Sequence, residues 1–118
     1  YHYERAVREA FLGNPIAQRA VRIVAESVGQ APIQAGDARM LQLVTATSAG
    51  QSLIETLAAH LMLHGNAYVQ IMKDARGQPV ELYALRPDRM SPITDTRGWP
   101  CAYDYKVDAT TTRIPVQD

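Results

Sequence analysis

The chain has 118 residues, of which 47% are apolar and 20% are charged. This size suits one domain with a modest core. Twelve basic and twelve acidic side chains cancel, which argues against a strongly basic surface for nonspecific phosphate binding and leads us to expect no sequence-specific DNA contact. The sequence contains no membrane-length apolar run and no secretory signal at 1–9, so we expect no membrane partner.

Cysteine usage and the two chain ends narrow the class further. Cys101 is the single cysteine, which leaves no partner for an internal disulfide, a cysteine zinc site or a redox pair and fits a reducing compartment. The first residue is not Met, and 113–118 reads like the start of another strand. We interpret the chain as a fragment of a larger protein.

Two helices are predicted at the start. Apolar residues at helical spacing indicate a short helix over 3–12, with Gly13 as a left-handed C-cap. Asn14 as N-cap and Pro15 in the first turn begin a second helix, which ends at Gly29. Its predicted inward residues are Ala17, Ala20, Val21, Val24 and Val28, and its outward residues are Gln18, Arg19, Arg22 and Glu26.

The middle of the chain contains a weak region and then a strong helix. Within 30–50, Asp37 is a candidate cap for a short helix. Ser52 and Glu55 then have the spacing of a capping box. The helix over 52–64 is apolar around most of its circumference, which is typical of a core helix buried under other elements.

Four strands are predicted after Gly65 stops this helix. Alternating side chains indicate strands at 67–73 and 80–85, joined by a tight turn that contains Gly77. A third strand at 90–94 contains Pro92, which restricts it to a sheet edge or a bulge, and Tyr103, Tyr105 and Val107 share one face of a fourth. The order predicts an α+β fold: a single domain, 1–118, with helices over about 1–64 packed on a small antiparallel meander over about 66–118.

His60 and His64 lie four residues apart on one predicted helix, the spacing at which two imidazoles can bind one metal ion. The intervening residues are Leu-Met-Leu, no Glu follows His60, and His2 lies in the chain terminus. The simpler interpretation is that His60 faces partly outward while His64 bonds backbone carbonyls at the helix end. We therefore expect no metal and no cofactor.

No catalytic constellation stands out either. Glu81 with Asp88, or Asp95 with Asp104, are imaginable acid–base pairs, but their spacing brings neither into one cleft. Two further sets fit no nucleophile or phosphate-loop motif. These are Ser48 with Ser52, and the scattered glycines Gly29, Gly36 and Gly50.

Aromatic and basic residues offer two candidate contact sites. Arg86 and Arg89 flank a turn, where they meet either a partner's acidic groups or, in the simpler interpretation, the local Asp88. Strand tyrosines without interleaved Lys or Arg favour ordinary sheet packing over a base-stacking platform. These tyrosines are Tyr68, Tyr83, Tyr103 and Tyr105.

Three stretches, 14–26, 57–68 and 77–89, together resemble the phage portal proteins of long-tailed phages and gene transfer agents. The first opens with Asn-Pro and runs on as a Val-rich, Ala-Glu-ending helix. The second contains His-Gly-Asn-Ala-Tyr, the most specific signal, and the third runs from a turn glycine to Leu-Arg-Pro-Asp-Arg. The residues that carry the resemblance are Asn14, Pro15, His64, Gly65, Asn66, Ala67, Tyr68, Gly77, Pro87 and Arg89.

The resemblance implies a non-enzymatic, structural subunit, of which this chain is part of the wing. It implies a ring of about twelve copies at one capsid vertex, through which DNA is packaged and released. The implied partners are other copies of the subunit, the terminase large subunit, the capsid protein and a head–tail adaptor. The implied location is the particle, and the bacterial cytoplasm during assembly.

The sequence departs from the family pattern at 30–50, which is shorter than in most relatives. A compact branch such as the gene transfer agent portals of alphaproteobacteria, or residues missing from the chain, would explain this, and we favour the first. The competing hypothesis from another class is a small ligand-binding or enzymatic domain with a pocket near His64 and Tyr68. A third is a single-strand nucleic-acid module.

Overall fold

The computed structural model describes residues 3–48 and 51–116. Predictions that involve His2, Gly50 or 117–118 fall outside this part. The helices are α1 (Tyr3–Val7), which continues as a π-helical turn (Arg8–Leu12), α2 (Pro15–Gly29), α3 (Ala38–Val44) and α4 (Leu53–His64). The strands are β1 (Thr47–Ser48), β2 (Gln51–Ser52), β3 (Tyr68–Lys73), β4 (Pro79–Leu85), β5 (Met90–Thr94), β6 (Pro100–Val107) and β7 (Thr110–Pro115), with a 3₁₀ turn at Pro87–Arg89.

The first helix ends differently from the prediction. Gly13 has φ −91° rather than a left-handed conformation, so the predicted left-handed cap is wrong. The reason is the π-helical turn before it, in which the Gly13 N–H donates to the Arg8 carbonyl at 3.1 Å. This wider turn satisfies the last carbonyls without reversing the chain.

Helix α2 begins and ends where the sequence predicts. The Asn14 side chain accepts hydrogen bonds from the backbone N–H groups of Ile16 and Ala17, at 3.0 and 3.3 Å. The predicted inward face is partly wrong, because Val24 and Val28 are each 43% exposed while Ala25 is buried. The packed face is rotated toward Ala25, which is buried, and Gly29, whose missing side chain allows α2 to approach α4 closely.

The middle section matches the prediction in its caps. Asp37 begins α3 by accepting from the N–H groups of Arg39 and Met40, and Ser52 begins α4 by accepting from the Glu55 N–H at 3.1 Å. The short β1–β2 pair before α4 was not predicted. Helix α4 is only half-buried, with Leu61 55% exposed, so the prediction of a helix covered on most sides is wrong for the described residues.

The α+β class is confirmed, but the strands divide into separate antiparallel sheets. The predicted hairpin is β3–β4, with Gly77 at φ 78° in its turn. Strands β5, β6 and β7 form a three-stranded meander in which Pro92 lies on the edge strand, as predicted. The two sheets separate at the 3₁₀ turn over Pro87–Arg89 and meet where Tyr68 packs edge-on against Tyr103, with ring centroids 5.2 Å apart.

The interior of this part of the chain is thin. The accessible surface is 8721 Å², whereas a compact monomer of this mass exposes about 6,300 Å². The radius of gyration is 16.0 Å, against about 13.5 Å for a compact domain of this length. The hydrophobic residues that are buried in the described part are Ala25, Leu85 and Ala102.

Candidate functional site

A polar cleft of about 290 Å³ lies between the N-terminal helical segment, α4 and the loop that precedes β5. Helix α4 contributes two imidazoles from successive turns, His60 and His64, because residues four apart share one helix face. Both apolar and charged side chains line the rest of the cleft. The charged ones are Glu4, Arg8, Arg86 and Asp88.

His64 is held by a residue from the other end of the helical region. Its Nδ1 forms a hydrogen bond with the hydroxyl of Tyr3, and the two rings meet edge to face with centroids 5.5 Å apart. The prediction that His64 bonds backbone carbonyls at the helix end is therefore wrong. The carbonyl of Leu61 instead accepts from the Gly65 N–H, which leaves the imidazole available to α1.

His60 lies beneath this pair. The two imidazole centroids are 5.9 Å apart, and the buried Nδ1 of His60 has no hydrogen-bond partner within the described residues. Burial lowers the pKa of His60, the positive charge of a protonated His64 lowers it further, and Asp88 opposes both. Burial also lowers the pKa of His64. Both rings are therefore neutral at pH 7.

The cleft does not assemble a metal-ligand set. Across residues 3–48 and 51–116, no group of three or more His, Cys, Asp or Glu side chains could hold a metal ion. One acidic residue of the cleft, Asp88, accepts two hydrogen bonds from Arg86, at 2.7 and 3.1 Å. This is the local ion pair that was the simpler interpretation of the Arg-Pro-Asp-Arg turn.

The candidate acid–base pairs are separated by the fold. Asp104 is bound by Arg113 across the β6–β7 ladder, with nitrogen–oxygen distances of 2.9 and 3.3 Å. Asp95 accepts the backbone N–H groups of Arg97 and Trp99 and closes its turn. Asp95 and Asp104 therefore each have a structural partner, and Glu81 and Asp88 line different clefts.

The pocket expected near both His64 and Tyr68 does not exist as one site. His64 lines the polar cleft, whereas Tyr68 lines a separate groove of about 400 Å³ between the two sheets. Tyr83 lies on β4 and is 44% exposed. It takes no part in the contact between Tyr68 and Tyr103. The tyrosines therefore serve sheet packing rather than a continuous stacking platform.

Exposed apolar side chains are the other conspicuous feature, and α2 contains four of them. Ile16 is 82% exposed, and three further residues of α2 are more than 40% exposed. Leu12, just before the helix, is 60% exposed. An exposed apolar stripe of this kind is characteristic of surfaces that contact another protein or another domain. The three further residues are Ile23, Val24 and Val28.

Sequence reasoning missed three of these features. The Tyr3–His64 bond joins residues 61 apart, and no local signal indicates it. The Asp104–Arg113 pair follows from strand register, which the sequence pattern left open. The exposure of Val24 and Val28, which the sequence predicts as inward residues, was also missed, because periodicity identifies an apolar face but not what covers it.

The fold, its polar side-chain pairs and its exposed apolar residues together indicate the class of protein. Its cores are thin and several apolar faces stay open in the described residues, as expected of one part of a larger assembly. Within the described ranges, every helix is too short or too polar to cross a membrane.

The chain belongs to the phage portal protein family. The family's model, described as phage portal protein, matches residues 15–118. This confirms the resemblance that the sequence motifs carry. A comparison with curated proteins found no match.

Chains in solved structures of gene transfer agent particles have a similar fold. The chain is similar to a subunit in the neck of a native gene transfer agent (GTA) particle computed with C12 symmetry, with a TM-score of 0.81 and 34% identity over 96% of this chain and 31% of that one. It is also similar to a chain in the neck of an empty GTA particle computed with C6 symmetry. The TM-score is 0.81 and the identity is 32%, over 96% of this chain and 33% of that one. A chain in the virion of the native GTA particle matches with a TM-score of 0.81 and 34% identity, over 96% of this chain and 31% of that one. The present chain thus spans about a third of the length of these neighbours.

The signature residues on the helical side lie at helix ends. Asn14 caps α2 and Pro15 occupies its first position, where the missing N–H costs nothing. His64 is the last residue of α4, and Gly65 follows with φ 76°, the predicted left-handed stop. That these residues form the family's signature remains a prediction.

The signature residues on the strand side lie in turns and at strand ends. The Asn66 side-chain amide donates to the Tyr68 hydroxyl at 3.3 Å, which ties the turn into β3. Ala67 precedes the strand and is half-buried. Gly77 has the left-handed conformation that its hairpin requires. Pro87, buried, and Arg89, half-buried, form the 3₁₀ turn between the sheets.

Proposed function

We propose that this chain is the wing part of a portal subunit, and that about twelve copies of the subunit form a ring at one capsid vertex. The single observation that carries the proposal is the similarity, at 34% identity and a TM-score of 0.81, to a chain from a particle neck computed with C12 symmetry. A closed ring with that symmetry needs head-to-tail contacts between two different faces of each subunit.

The exposed surface is consistent with such contacts. The accessible area exceeds that of a compact monomer of the same mass by about 2,400 Å². A standard interface takes about 800 Å² from each partner, so a ring subunit gives up about 1,600 Å² to its two neighbours. The apolar stripe that begins at Leu12 and Ile16 is a candidate for one of these faces.

In the assembled particle, the ring is the passage for DNA during packaging and release. We propose that the chain contributes structure and not catalysis. Its formal net charge of zero suits a part that neither grips nor reads DNA. ATP hydrolysis belongs to the terminase large subunit that docks on the ring, and the capsid protein and a head–tail adaptor are further partners. The subunit then acts in the particle, and in the bacterial cytoplasm while the particle is assembled.

The test is negative-stain electron microscopy together with mass measurement on the full-length subunit. We expect rings with a central channel and a mass of about twelve subunits. Ile16→Ser on the exposed stripe should weaken ring formation, and Gln42→Ser, an exposed position on α3 with no apolar role, serves as the matched control. A subunit that stays monomeric at every salt and protein concentration would overturn the proposal.

A further inference from the structure

Every strand except β6 has one unpaired edge in the described chain, and two of these edges, on β3 and β7, face each other across a groove. β3 pairs with β4 on one side, and β7 pairs with β6 on one side. The opposite edge of each strand has no partner strand in residues 3–48 and 51–116. A free edge presents a row of backbone donors and acceptors that can pair with a further strand.

Both free edges border the same groove, which has a volume of about 400 Å³. Its walls include four consecutive residues of β3, 68–71, and five consecutive residues at β7, 112–116. Since successive side chains of a strand point to opposite faces of the sheet, consecutive residues line one groove when that groove follows the strand's edge. Its remaining lining is apolar or aromatic: Leu85, Met90 and Tyr103.

Hydrogen bonds at the strand ends show which backbone groups point into the groove. The Val116 N–H donates to the Cys101 carbonyl at 3.1 Å. Because donors alternate in direction along an antiparallel strand, the N–H groups of Thr112 and Ile114 also point to β6, and that of Arg113 points outward. The closeness of the Arg113 and Asp104 side chains agrees with this, since non-hydrogen-bonded pairs lie nearer each other.

The same alternation orients β3. The Asp74 N–H donates to the Gln78 carbonyl at 2.9 Å, so the N–H of Gln70 points to β4. The N–H groups of Val69 and Ile71 therefore point outward, into the groove. The irregularity between Met72 and Lys73 adds its extra residue to β4 and leaves the alternation along β3 intact.

We propose that an extended segment of the same portal subunit, from outside residues 3–116, lies in this groove and pairs with the outer edges of β3 and β7. The added strand joins the two sheets into one, in the order β4, β3, added strand, β7, β6, β5. Its inward side chains are apolar, because they meet Leu85, Met90 and Tyr103. This inference goes beyond the proposed function, and it does not depend on ring formation.

The same subunit is the source that fits best. The solved neighbours are about three times as long as this chain, so subunits of this family contain additional segments. A segment on the same polypeptide acts at a high effective concentration and needs no partner to be present. It also covers the edges before assembly, when free strands would otherwise pair wrongly between subunits.

The test is residue-resolved hydrogen exchange on the monomeric, full-length subunit. The amides of Val69, Ile71 and Arg113 point into the groove, and those of Gln70 and Thr112 point to neighbouring strands and serve as internal controls. We expect all five to exchange slowly, with the groove-facing amides about 100-fold slower than free-edge amides. Fast exchange at the three groove-facing amides, with slow exchange at both controls, overturns the proposal. So does protection that arises only in the ring, which would assign the groove to a neighbouring copy.

A variant pair tests the bridge between the sheets. Arg113→Pro removes an outward donor from β7, whereas Arg113→Ala removes the same side chain and keeps the N–H. We expect Arg113→Pro, and not Arg113→Ala, to speed exchange about 10-fold or more at Val69 and Ile71 on the other side of the groove. Equal exchange at these two amides in both variants overturns the proposal. The wild-type measurement decides the question if Arg113→Pro fails to fold.

Discussion

Gly29 of α2 faces Glu55 of α4 so closely that a methyl group on Gly29 would lie 2.9 Å from the Cβ of Glu55. It would also lie 3.1 Å from the hydroxyl oxygen of Ser52, the residue that caps α4. The end of α2 therefore contacts the beginning of α4 with no room for a side chain at Gly29. This contact sets the position of α2 on α4.

Gly29→Ala should destabilise the subunit although alanine is the better helix former. Crowding against Glu55 and Ser52 costs about 1–3 kcal/mol, and the gain in helix propensity returns at most about 1 kcal/mol. Gly36→Ala is the matched control, because nothing lies within 4 Å of an added methyl group there. Chemical denaturation of the monomeric full-length subunit measures the free energy of unfolding of both variants. Equal effects of the two substitutions would contradict the tight contact.

Gly65→Ala should destabilise the junction between α4 and β3 for a different reason. No atom lies within 4 Å of an added methyl group, but the backbone has φ 76°. A left-handed conformation costs a residue with a Cβ about 1–2 kcal/mol. Gly65→Asn should cost less, because asparagine tolerates this conformation. Thermal unfolding measures the loss of stability in both variants. Equal losses in Gly65→Ala and Gly65→Asn would exclude the left-handed conformation as the cause.

The histidine cleft should make the subunit less stable in mild acid. The pKa values of His60 and His64 lie below the ordinary value of 6.5. The unfolded chain therefore binds protons first as pH falls through 6.5, and the stabilisation, complete above that pH, is lost toward the lowered pKa values. The other charged side chains that line the cleft are Glu4 and Arg8, besides the Arg86–Asp88 pair.

We expect the melting temperature of the wild type to fall between pH 8 and pH 5.5, and to fall less in His60→Gln. The double variant with His64→Gln should show the weakest pH dependence, since neither ring remains to be protonated. Differential scanning fluorimetry at a series of pH values measures this. A pH dependence that is unchanged in the double variant would show that other groups cause it.

The cross-strand pair of Asp104 and Arg113 should be visible in a titration. The hydrogen bond from Arg113 holds the pKa of Asp104 below the ordinary value of 3.8. Its stabilising effect is present above that value and is lost as pH falls through the lowered pKa. Arg113→Gln should raise the pKa of Asp104, as should high salt to a smaller degree. NMR titration of the Asp104 carboxyl measures it, and an unchanged pKa in Arg113→Gln would contradict the bond.

Features that depend on neighbours a few residues away were predictable from the sequence. Asn14 and Asp37 cap their helices because a short polar side chain reaches the N–H groups of the next residues. Gly65 and Gly77 adopt left-handed conformations where a helix and a hairpin require them. The family followed from the same kind of local pattern, since the motif over 64–68 combines a helix stop with the start of a strand.

Features that depend on distant neighbours were decided by the tertiary structure alone. The sequence could not show that His64 bonds Tyr3 rather than its own helix end, because the approach of α1 is set by packing and not by spacing. Nor could it show that the β3–β4 hairpin and the β5–β6–β7 meander form separate sheets with a groove between their free edges. Periodicity marks which residues are apolar, but only the packed chain determines which apolar faces are covered and which stay open for other parts of the assembly.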